Sequence, residues 1–383
     1  MPRKTTKSVA PAEQAKRIGL VICNSTFPRI KVEDGCLRLP GTKKDAKVMS
    51  AVLADPEVGR FSVRTIVDKG LYEVRREIAK ACSEAGENDV LLIYYSGNGL
   101  ADTDGTFYLL VEDTESEFLQ ATAVDADFVL NHLRRSRCRR FVLLIDGCHA
   151  GAFFNNNRGV PDGLYAITAC GADDTICDTP EGGLFTAALA RGLRTAAADS
   201  DGDGRVSVDE LHDYVREESR EHNWGYAPQK WVWNVPEPIY LTPALRPVFL
   251  SYAREDSTAA DRLKLALERE GLSVWLDRQD VRSGNWKDRL TEGLNRSRAL
   301  VFLLTTSSSG SRVIRSELDF ATSKQVPIIP VEIDDSVKAL PDWYRLDYDK
   351  LQRHRLNGKT YDDDVKALAD AIRRLRKEKA AEA

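Results

Sequence analysis

The chain has 383 residues, more than a single hydrophobic core usually serves, so its length predicts two domains. Its 55 Lys and Arg residues against 59 Asp and Glu give a net charge of -4, which argues against a general electrostatic affinity for nucleic acid. No apolar run is long enough to span a membrane, and seven scattered cysteines without a secretory leader lead us to expect a cytoplasmic protein.

Residues 1–16 are polar and basic, and we expect them to form a disordered arm. Apolar strands and amphipathic helices alternate after it. The strands are predicted at residues 17–27, 61–67, 89–96 and 140–146, with a further apolar segment at 164–170, and the helices at 42–53, 71–85, 125–135 and 184–195. This alternation of continuous apolar strands with helices predicts an α/β domain with a parallel sheet covered on both faces.

Two polar residues follow strands of this sheet. Asn98 comes after the strand at 89–96, and Cys148 comes after the strand at 140–146. Active groups of parallel sheets lie at the carboxyl ends of strands, so one cleft is expected to hold both residues. A free thiol with a pKa near 8.5 is only a few per cent ionised at neutral pH, so Cys148 needs a base or a positive field to act as a nucleophile.

The segments around these residues, YYSGNG at 94–99 and FVLLIDGCHAG at 141–151, resemble the two catalytic strands of the caspase and metacaspase family. The separation of about 50 residues is the one expected between a caspase-type His and Cys. TACGADDT at 168–175 and GGLFT at 182–186 resemble further metacaspase segments. The resemblance implies a caspase-like α/β/α sandwich over residues 17–243.

The resemblance also implies roles for individual residues. Cys148 is the nucleophile, and the amides of Cys148 and Gly147 are candidate oxyanion donors. Asp146 and Asp173 resemble the acidic groups that select Arg or Lys in metacaspases, because two carboxylates near one pocket favour a cationic side chain. The expected partner is therefore a protein substrate that is cleaved after Arg or Lys.

One position departs from the family pattern. Asn98 stands where the family has its catalytic His, and an amide cannot accept a proton at useful pH. None of the five histidines stands there, and His149 is expected to point away from Cys148 as its neighbour on an extended segment. Loss of a general base costs about 10²–10⁴-fold in rate. Either this is a binding pseudoprotease, or Asn98 inactivates an otherwise complete enzyme.

A loop inside this domain, DSDGDGRVSVDE at residues 199–210, fits the calcium-binding loop of EF-hands, with Gly204 at the sharp turn. The predicted metal ligands are the carboxylates of Asp199, Asp201 and Asp203, the carbonyl of Arg205, the hydroxyl of Ser207 or a water bound to it, and the bidentate carboxylate of Glu210. A Ca²⁺ ion is expected here, with a structural or a regulatory role. The alternative is a solvated acidic turn.

The βα order starts again at residue 247, and residues 243–247 are the candidate domain boundary. Strands are predicted from residue 247 and at 272–276, 299–305 and 326–333, and helices at 258–270, 285–296, 314–324 and 363–379. The repeated order indicates a second doubly wound domain.

Four segments of this second half, at residues 248–256, 274–277, 280–286 and 311–318, resemble a TIR domain in combination. The resemblance implies a flavodoxin-like TIR domain over residues 247–349, followed by a helical segment over 350–383. Many bacterial TIR domains cleave NAD, and the family's catalytic Glu aligns with Glu317. Ser251, Arg254 and Trp286 are candidates for binding NAD or an NAD-derived nucleotide. Alternatively, Glu317 is an ordinary helix carboxylate in a domain used for self-association or signal recognition.

Together the two resemblances indicate a caspase–TIR fusion of the kind found in bacterial immune and cell-death systems. The preferred hypothesis is a defence effector in which the TIR domain senses, assembles or produces an NAD-derived signal and the caspase-like domain cleaves a protein. One alternative is an NAD-depleting TIR enzyme on a pseudoprotease scaffold. The other is a signalling scaffold with neither activity.

Overall fold

The computed structural model describes residues 15–32, 35–155, 159–176, 179–201, 203–243, 247–276, 291, 293–294, 296–333, 342–348 and 350–381. The chain divides into two units, Met1–Ala190 with Ser207–Leu241 and Arg191–Val206 with Thr242–Ala383. The predicted arm falls almost wholly outside the described residues, as do residues 244–246 of the predicted boundary. No helix in the described part of the chain combines the length and apolarity needed to cross a membrane.

The first unit alternates strands and helices, as predicted. Its strands are β1 (Arg17–Cys23), β2 (Thr26–Val32), β3 (Gly35–Arg38), β4 (Ser62–Val67), β5 (Val90–Ser96), β6 (Gly99–Ala101), β7 (Phe107–Leu109), β8 (Val124–Asp125), β9 (Phe141–Asp146), β10 (Leu164–Thr168) and β11 (Gln229–Trp233). The helices up to residue 221 are α1 (Thr42–Ala54), α2 (Leu71–Glu84), α3 (Leu119–Thr122), α4 (Ala126–Arg135), α5 (Leu184–Thr195) and α6 (Val208–Glu221).

Six of these strands form one sheet in the order β11-β10-β9-β5-β1-β4. All neighbours are parallel except β10 and β11, which are antiparallel. Every residue of β5 and β9 is buried, as expected for central strands covered on both faces. Val74 and Ile78 of α2 pack with Val129 of α4 against one face of this sheet. The predicted α/β class is confirmed for this unit.

The prediction of one strand over residues 17–27 is wrong, because the strand ends at Cys23. The amide of Asn24 still donates to Ser96 O at the end of β5, but the amide and hydroxyl of Ser25 both donate to the side chain of Asp68. The chain then enters β2, which pairs with β3 in a hairpin. The small sheet β6-β7-β8 was not predicted either, since strands of three residues or fewer carry no readable periodicity.

The second unit is a parallel α/β fold. Its strands are β12 (Val248–Ser251), β13 (Val274–Leu276), β14 (Ala299–Leu304), β15 (Ile328–Ile333) and β16 (His354–Leu356), and its helices from residue 257 onward are α7 (Ser257–Arg269), α8 (Thr306–Ser309), α9 (Arg312–Ser323), α10 (Asp342–Asp347) and α11 (Tyr361–Ala381). The strand order β13-β12-β14-β15-β16 is that of flavodoxin-like sheets, as predicted. The helix predicted over 285–296 lies largely outside the described residues. Strand β16 was not foreseen.

Separate apolar clusters cover the two faces of this second sheet. Leu263 of α7 and Leu368 of α11 pack on one face. Leu318 of α9 and Tyr344 of α10 pack on the other. Strand β14 lies at the centre, and all six of its residues are buried.

One glycine of the first unit forms backbone hydrogen bonds with β9 and β11, the strands on either side of β10. Gly163, just before β10, has a φ of 81°, its carbonyl accepts from Phe141 N, and its amide donates to Trp233 O. A Cβ at this position would lie 1.9 Å from Arg139 O. The site therefore requires glycine for its backbone conformation and also for its space.

We expect Gly163→Ala to destabilise the protein by about 2 kcal/mol more than Gly105→Ala. Gly105 has a similar φ of 77°, but a Cβ there would meet no atom within 4 Å, so it is the matched control for backbone strain alone. Urea denaturation of both variants measures the difference. Equal losses would show that the contact with Arg139 is not what constrains position 163.

Candidate functional site

The ends of β5 and β9 bring the two predicted active-site segments into contact. Ser96 pairs with Asp146 in the parallel register, and Gly97 N donates to Asp146 O at 3.1 Å. A Cβ at Gly147 would lie 2.7 Å from Gly97 O, and one at Gly99 would lie 3.0 Å from Cys148 O. The two segments therefore touch directly beyond the sheet, which fits the expected shared cleft of Asn98 and Cys148.

The sulfur of Cys148 lies against the loop that follows β10. Ile176 N donates to Sγ at 3.3 Å, and Sγ is 3.6 Å from Ile176 O. The backbone of Ile176 therefore offers the sulfur both a donor and an acceptor. The neighbouring thiol of Cys170 differs, because burial raises its pKa to about 11 and it donates to Gly147 O. The half-buried Cys148 is therefore the more suitable nucleophile of the two.

Both oxygens of Asn98 accept hydrogen bonds from groups close to its turn. Its Oδ1 accepts from Gly99 N at 2.8 Å. Its carbonyl accepts from the hydroxyl of Tyr95 at 2.7 Å and from Leu110 N at 3.0 Å. These bonds hold the segment beside Cys148, but the amide supplies no proton acceptor of useful basicity.

His149 is not in the extended conformation on which the sequence argument depended. Its φ of 56° is left-handed, and it caps the 3-10 helix Ala150–Phe154. Its amide donates to Asp174 O, and its Nδ1 lies 2.9 Å from Ala172 O, so Nδ1 carries the proton in this contact. The expectation of an extended segment is wrong here, since the chain turns sharply after Cys148.

Asp146 lies in a buried acidic pocket behind the cysteine. Its Oδ2 accepts from the hydroxyl of Thr186 at 2.6 Å, and Thr186 also contacts the hydroxyl of Tyr94. Asp45, in the first turn of α1, accepts from the hydroxyl of Ser96 at 3.1 Å. Both carboxylates are almost fully buried, at 6% and 3% exposure. They face the same point, because a Cβ at Gly183 would lie within 3.4 Å of an oxygen of each.

The sequence analysis missed Asp45. The available signal was a carboxylate in the first turn of the helix that follows the first strand, which places it at the same edge of the sheet as Cys148. Asp173, which was proposed for this role, is exposed in the loop after β10. Burial raises the pKa of the Cys23 thiol, and the nearby carboxylates of Asp45 and Asp146 raise it further.

In the second unit, a serine and a glutamate meet at the carboxyl end of β12. The hydroxyl of Ser251, which is 2% exposed, donates to Oε2 of Glu317 on α9 at 2.5 Å. Arg254 is exposed at the start of the short 3-10 helix Arg254–Asp256. Trp286 lies outside the described residues. The structure thus brings Ser251 and Glu317 together and orients the carboxylate.

The carboxylates of Asp199, Asp201 and Asp203 each offer an oxygen within 4.8 Å of the others. Backbone amides shape the loop: Gly204 N donates to Asp199 and Asp203 N donates to Asp201. Partial burial opposes ionisation of Asp203, but hydrogen bonds from Arg205 hold its pKa below the usual value. Three converging carboxylates suit a hard cation that takes oxygen ligands.

Ser207 and Glu210, predicted as further ligands, form a capping box at the start of α6. The hydroxyl of Ser207 accepts from Glu210 N, and Oε2 of Glu210 accepts from Ser207 N at 2.9 Å. This contact stabilises the helix terminus. The predicted bidentate role of Glu210 would require its carboxylate to leave this arrangement.

Comparison with known proteins agrees with this architecture. The family model of the caspase domain matches residues 16–234, and that of the TIR domain matches residues 248–369. The caspase match spans more than half of the chain, so this chain belongs to the caspase-domain family and carries a TIR domain after it.

Comparison with curated proteins gave no match. Among solved structures, the chain is similar to protein GSU0716 from Geobacter sulfurreducens, with 19% identity and a TM-score of 0.46. The match covers 60% of this chain and 97% of that one.

Proposed function

We propose that this chain is a caspase-type cysteine endopeptidase that cleaves a protein after Arg or Lys. We also propose that its peptidase activity is low because Asn98 replaces the general base. The observation that carries the proposal is the placement of Cys148 beside the turn of Asn98, with Asp45 and Asp146 buried at the same strand ends. A guanidinium fits two carboxylates through parallel hydrogen bonds, whereas an acidic side chain would be repelled there.

In the proposed reaction, the thiolate of Cys148 attacks the carbonyl carbon after the basic residue, and the oxygen becomes an oxyanion. The amides of Cys148 and Gly147 are the proposed donors to that oxyanion, as the family resemblance implies. Collapse expels the amine, which must receive a proton, and water then releases the acyl group from sulfur. A histidine at position 98 would move these protons. With Asn98, the thiol depends on its own ionised fraction.

We also propose a second activity, NAD cleavage by the TIR domain. The observation that favours it is the contact of Ser251 with Glu317 at a strand end, which holds a carboxylate ready for an oxocarbenium-like charge beside the ribose. If only this activity exists, the caspase domain is a scaffold. If neither exists, the chain is a signalling scaffold that self-associates through its TIR domain.

The biological role that we propose is defence signalling in the bacterial cytoplasm. A TIR domain suited to an NAD-derived signal and a caspase domain suited to protein cleavage occupy one chain. This pairing supports an effector in which a nucleotide signal and proteolysis are linked.

We expect Asn98→His to raise cleavage of fluorogenic arginyl peptides by about 10²-fold or more, the usual contribution of a general base. Cys148→Ala in the same background should abolish it, and aspartyl peptides should stay uncleaved. Release of the fluorophore measures all three. A folded Asn98→His protein that cleaves neither peptide would contradict the peptidase proposal.

We expect Glu317→Gln to abolish NAD loss catalysed by the purified chain and Ser251→Ala to reduce it, because the serine orients the carboxylate. Asp370 pairs with Arg373 on α11, so Asp370→Asn is the control and should leave the rate of NAD loss unchanged. Chromatography of NAD and nicotinamide measures the reaction. NAD loss that survives Glu317→Gln would place the chemistry elsewhere.

We propose that Asp199, Asp201 and Asp203 bind Ca²⁺, which should raise the melting temperature of the chain. At a free concentration of 100 times Kd, binding stabilises a folded protein by about 2.7 kcal/mol. Asp201→Asn should remove the shift, while Asp213→Asn on α6 should keep it. An unchanged melting temperature in millimolar Ca²⁺, or a shift that survives Asp201→Asn, counts against the site.

A further inference from the structure

The acidic pocket of Asp45 and Asp146 is covered by the chain's own backbone. Gly183 N donates to Oδ1 of Asp45 at 2.9 Å, so this oxygen already receives an N–H donor. The other oxygen of Asp45 accepts from Ser96, and Oδ2 of Asp146 accepts from Thr186. At least three of the four oxygens that would receive a guanidinium therefore already accept a hydrogen bond from groups of this chain.

The covering backbone also fills the space beside the two carboxylates. A Cβ at Gly183 would lie 2.7 Å from Oδ2 of Asp146, and one at Gly182 would lie 2.7 Å from Oδ1 of Asp45. Only glycine fits at both positions in this arrangement, and Gly182 also has a φ of 102°. The backbone of the two glycines therefore occupies space directly against these oxygens that a guanidinium would need.

The covering segment is a hydrogen-bonded turn that leads into a buried helix. The hydroxyl of Thr179 donates to Gly182 O at 2.9 Å, and Gly182 N donates back to Thr179 O, which closes the turn. Pro180 and Glu181 are exposed. Directly after the glycines, Phe185 and Thr186 are fully buried in α5, with exposures of 0% and 1%. The buried start of α5 therefore anchors the C-terminal end of the turn, while Pro180 and Glu181 at its tip face solvent.

We propose that residues 179–183 form an autoinhibitory plug, which occupies the pocket for the basic side chain and must withdraw before a substrate binds. This inference rests on the proposed peptidase function, because it assigns the pocket of Asp45 and Asp146 to the substrate's Arg or Lys. The plug and Asn98 are then two independent restraints: one closes the binding pocket, and the other removes the base.

The test is binding of benzamidine, an amidine that resembles the arginine head group, to the full chain and its variants by calorimetry. Thr179→Val removes one of the two hydrogen bonds that close the turn, and we expect about tenfold tighter binding, the ratio that loss of one hydrogen bond produces. Thr179→Ser keeps the hydroxyl and should bind as the starting chain does. Gly183→Ala should act in the same direction as Thr179→Val, because its Cβ disfavours the plugged arrangement.

Adding Asp146→Asn to either opened variant should remove the gain, since the amidine would lose a charged partner. The proposal is overturned when folded Thr179→Val binds benzamidine no more tightly than the starting chain, whatever the folding of Gly183→Ala. It is also overturned when the gain survives Asp146→Asn, because the probe would then bind elsewhere.

Peptide cleavage in the Asn98→His background separates this inference from the peptidase itself. Tighter benzamidine binding by Thr179→Val without any peptide cleavage would keep the plug and contradict the peptidase. Cleavage by the Asn98→His chain that Thr179→Val leaves unchanged, together with unchanged binding, would contradict the plug and keep the peptidase.

Discussion

The structure of the candidate site depends on the parallel pairing of β5 with β9. Parallel strands end at the same edge of a sheet, so residues more than 40 positions apart in sequence become neighbours there. This pairing places Ser96 beside Asp146 and Gly97 against Gly147. The complete burial of both strands fixes their register, because a slip of one residue would turn the side chains of each strand to the opposite face.

The same principle applies in the second unit, where Ser251 ends β12 and meets Glu317 of α9. Each half of the chain therefore has a carboxylate held by a hydroxyl at a strand end: Asp146 by Thr186, and Glu317 by Ser251. A charge-assisted hydrogen bond of this kind fixes the orientation of the carboxylate before any ligand arrives. In the function proposed for the caspase domain, Cys148 adds a nucleophile to this pattern, and the resemblance read from the sequence places Asn98 where the family has a base.

The sequence was sufficient for the α/β class of both halves, for the succession of the main strands along the chain and for the expectation that the segments of Asn98 and Cys148 meet, because long apolar strands and the strand-end rule are readable locally. It was not sufficient for Asp45, whose contact with the pocket arises from packing of α1 on the sheet. It also could not give the left-handed turn at His149 or the approach of Gly183 to Asp45, since each depends on contacts with distant loops. The break after Cys23 has the same origin, in the contact of Ser25 with Asp68.

The most direct measurement of the central claim is the intact mass of the Asn98→His protein after incubation with a peptidyl-arginyl acyloxymethyl ketone. This reagent alkylates a neighbouring thiolate, with loss of its acyloxy group, when its arginine side chain occupies the pocket of Asp45 and Asp146. A single adduct on Cys148, absent with Cys148→Ala and absent with the aspartyl analogue, is the result expected for an arginine-directed caspase domain silenced at position 98. An unmodified protein, or labelling that does not distinguish arginyl from aspartyl reagents, would contradict it.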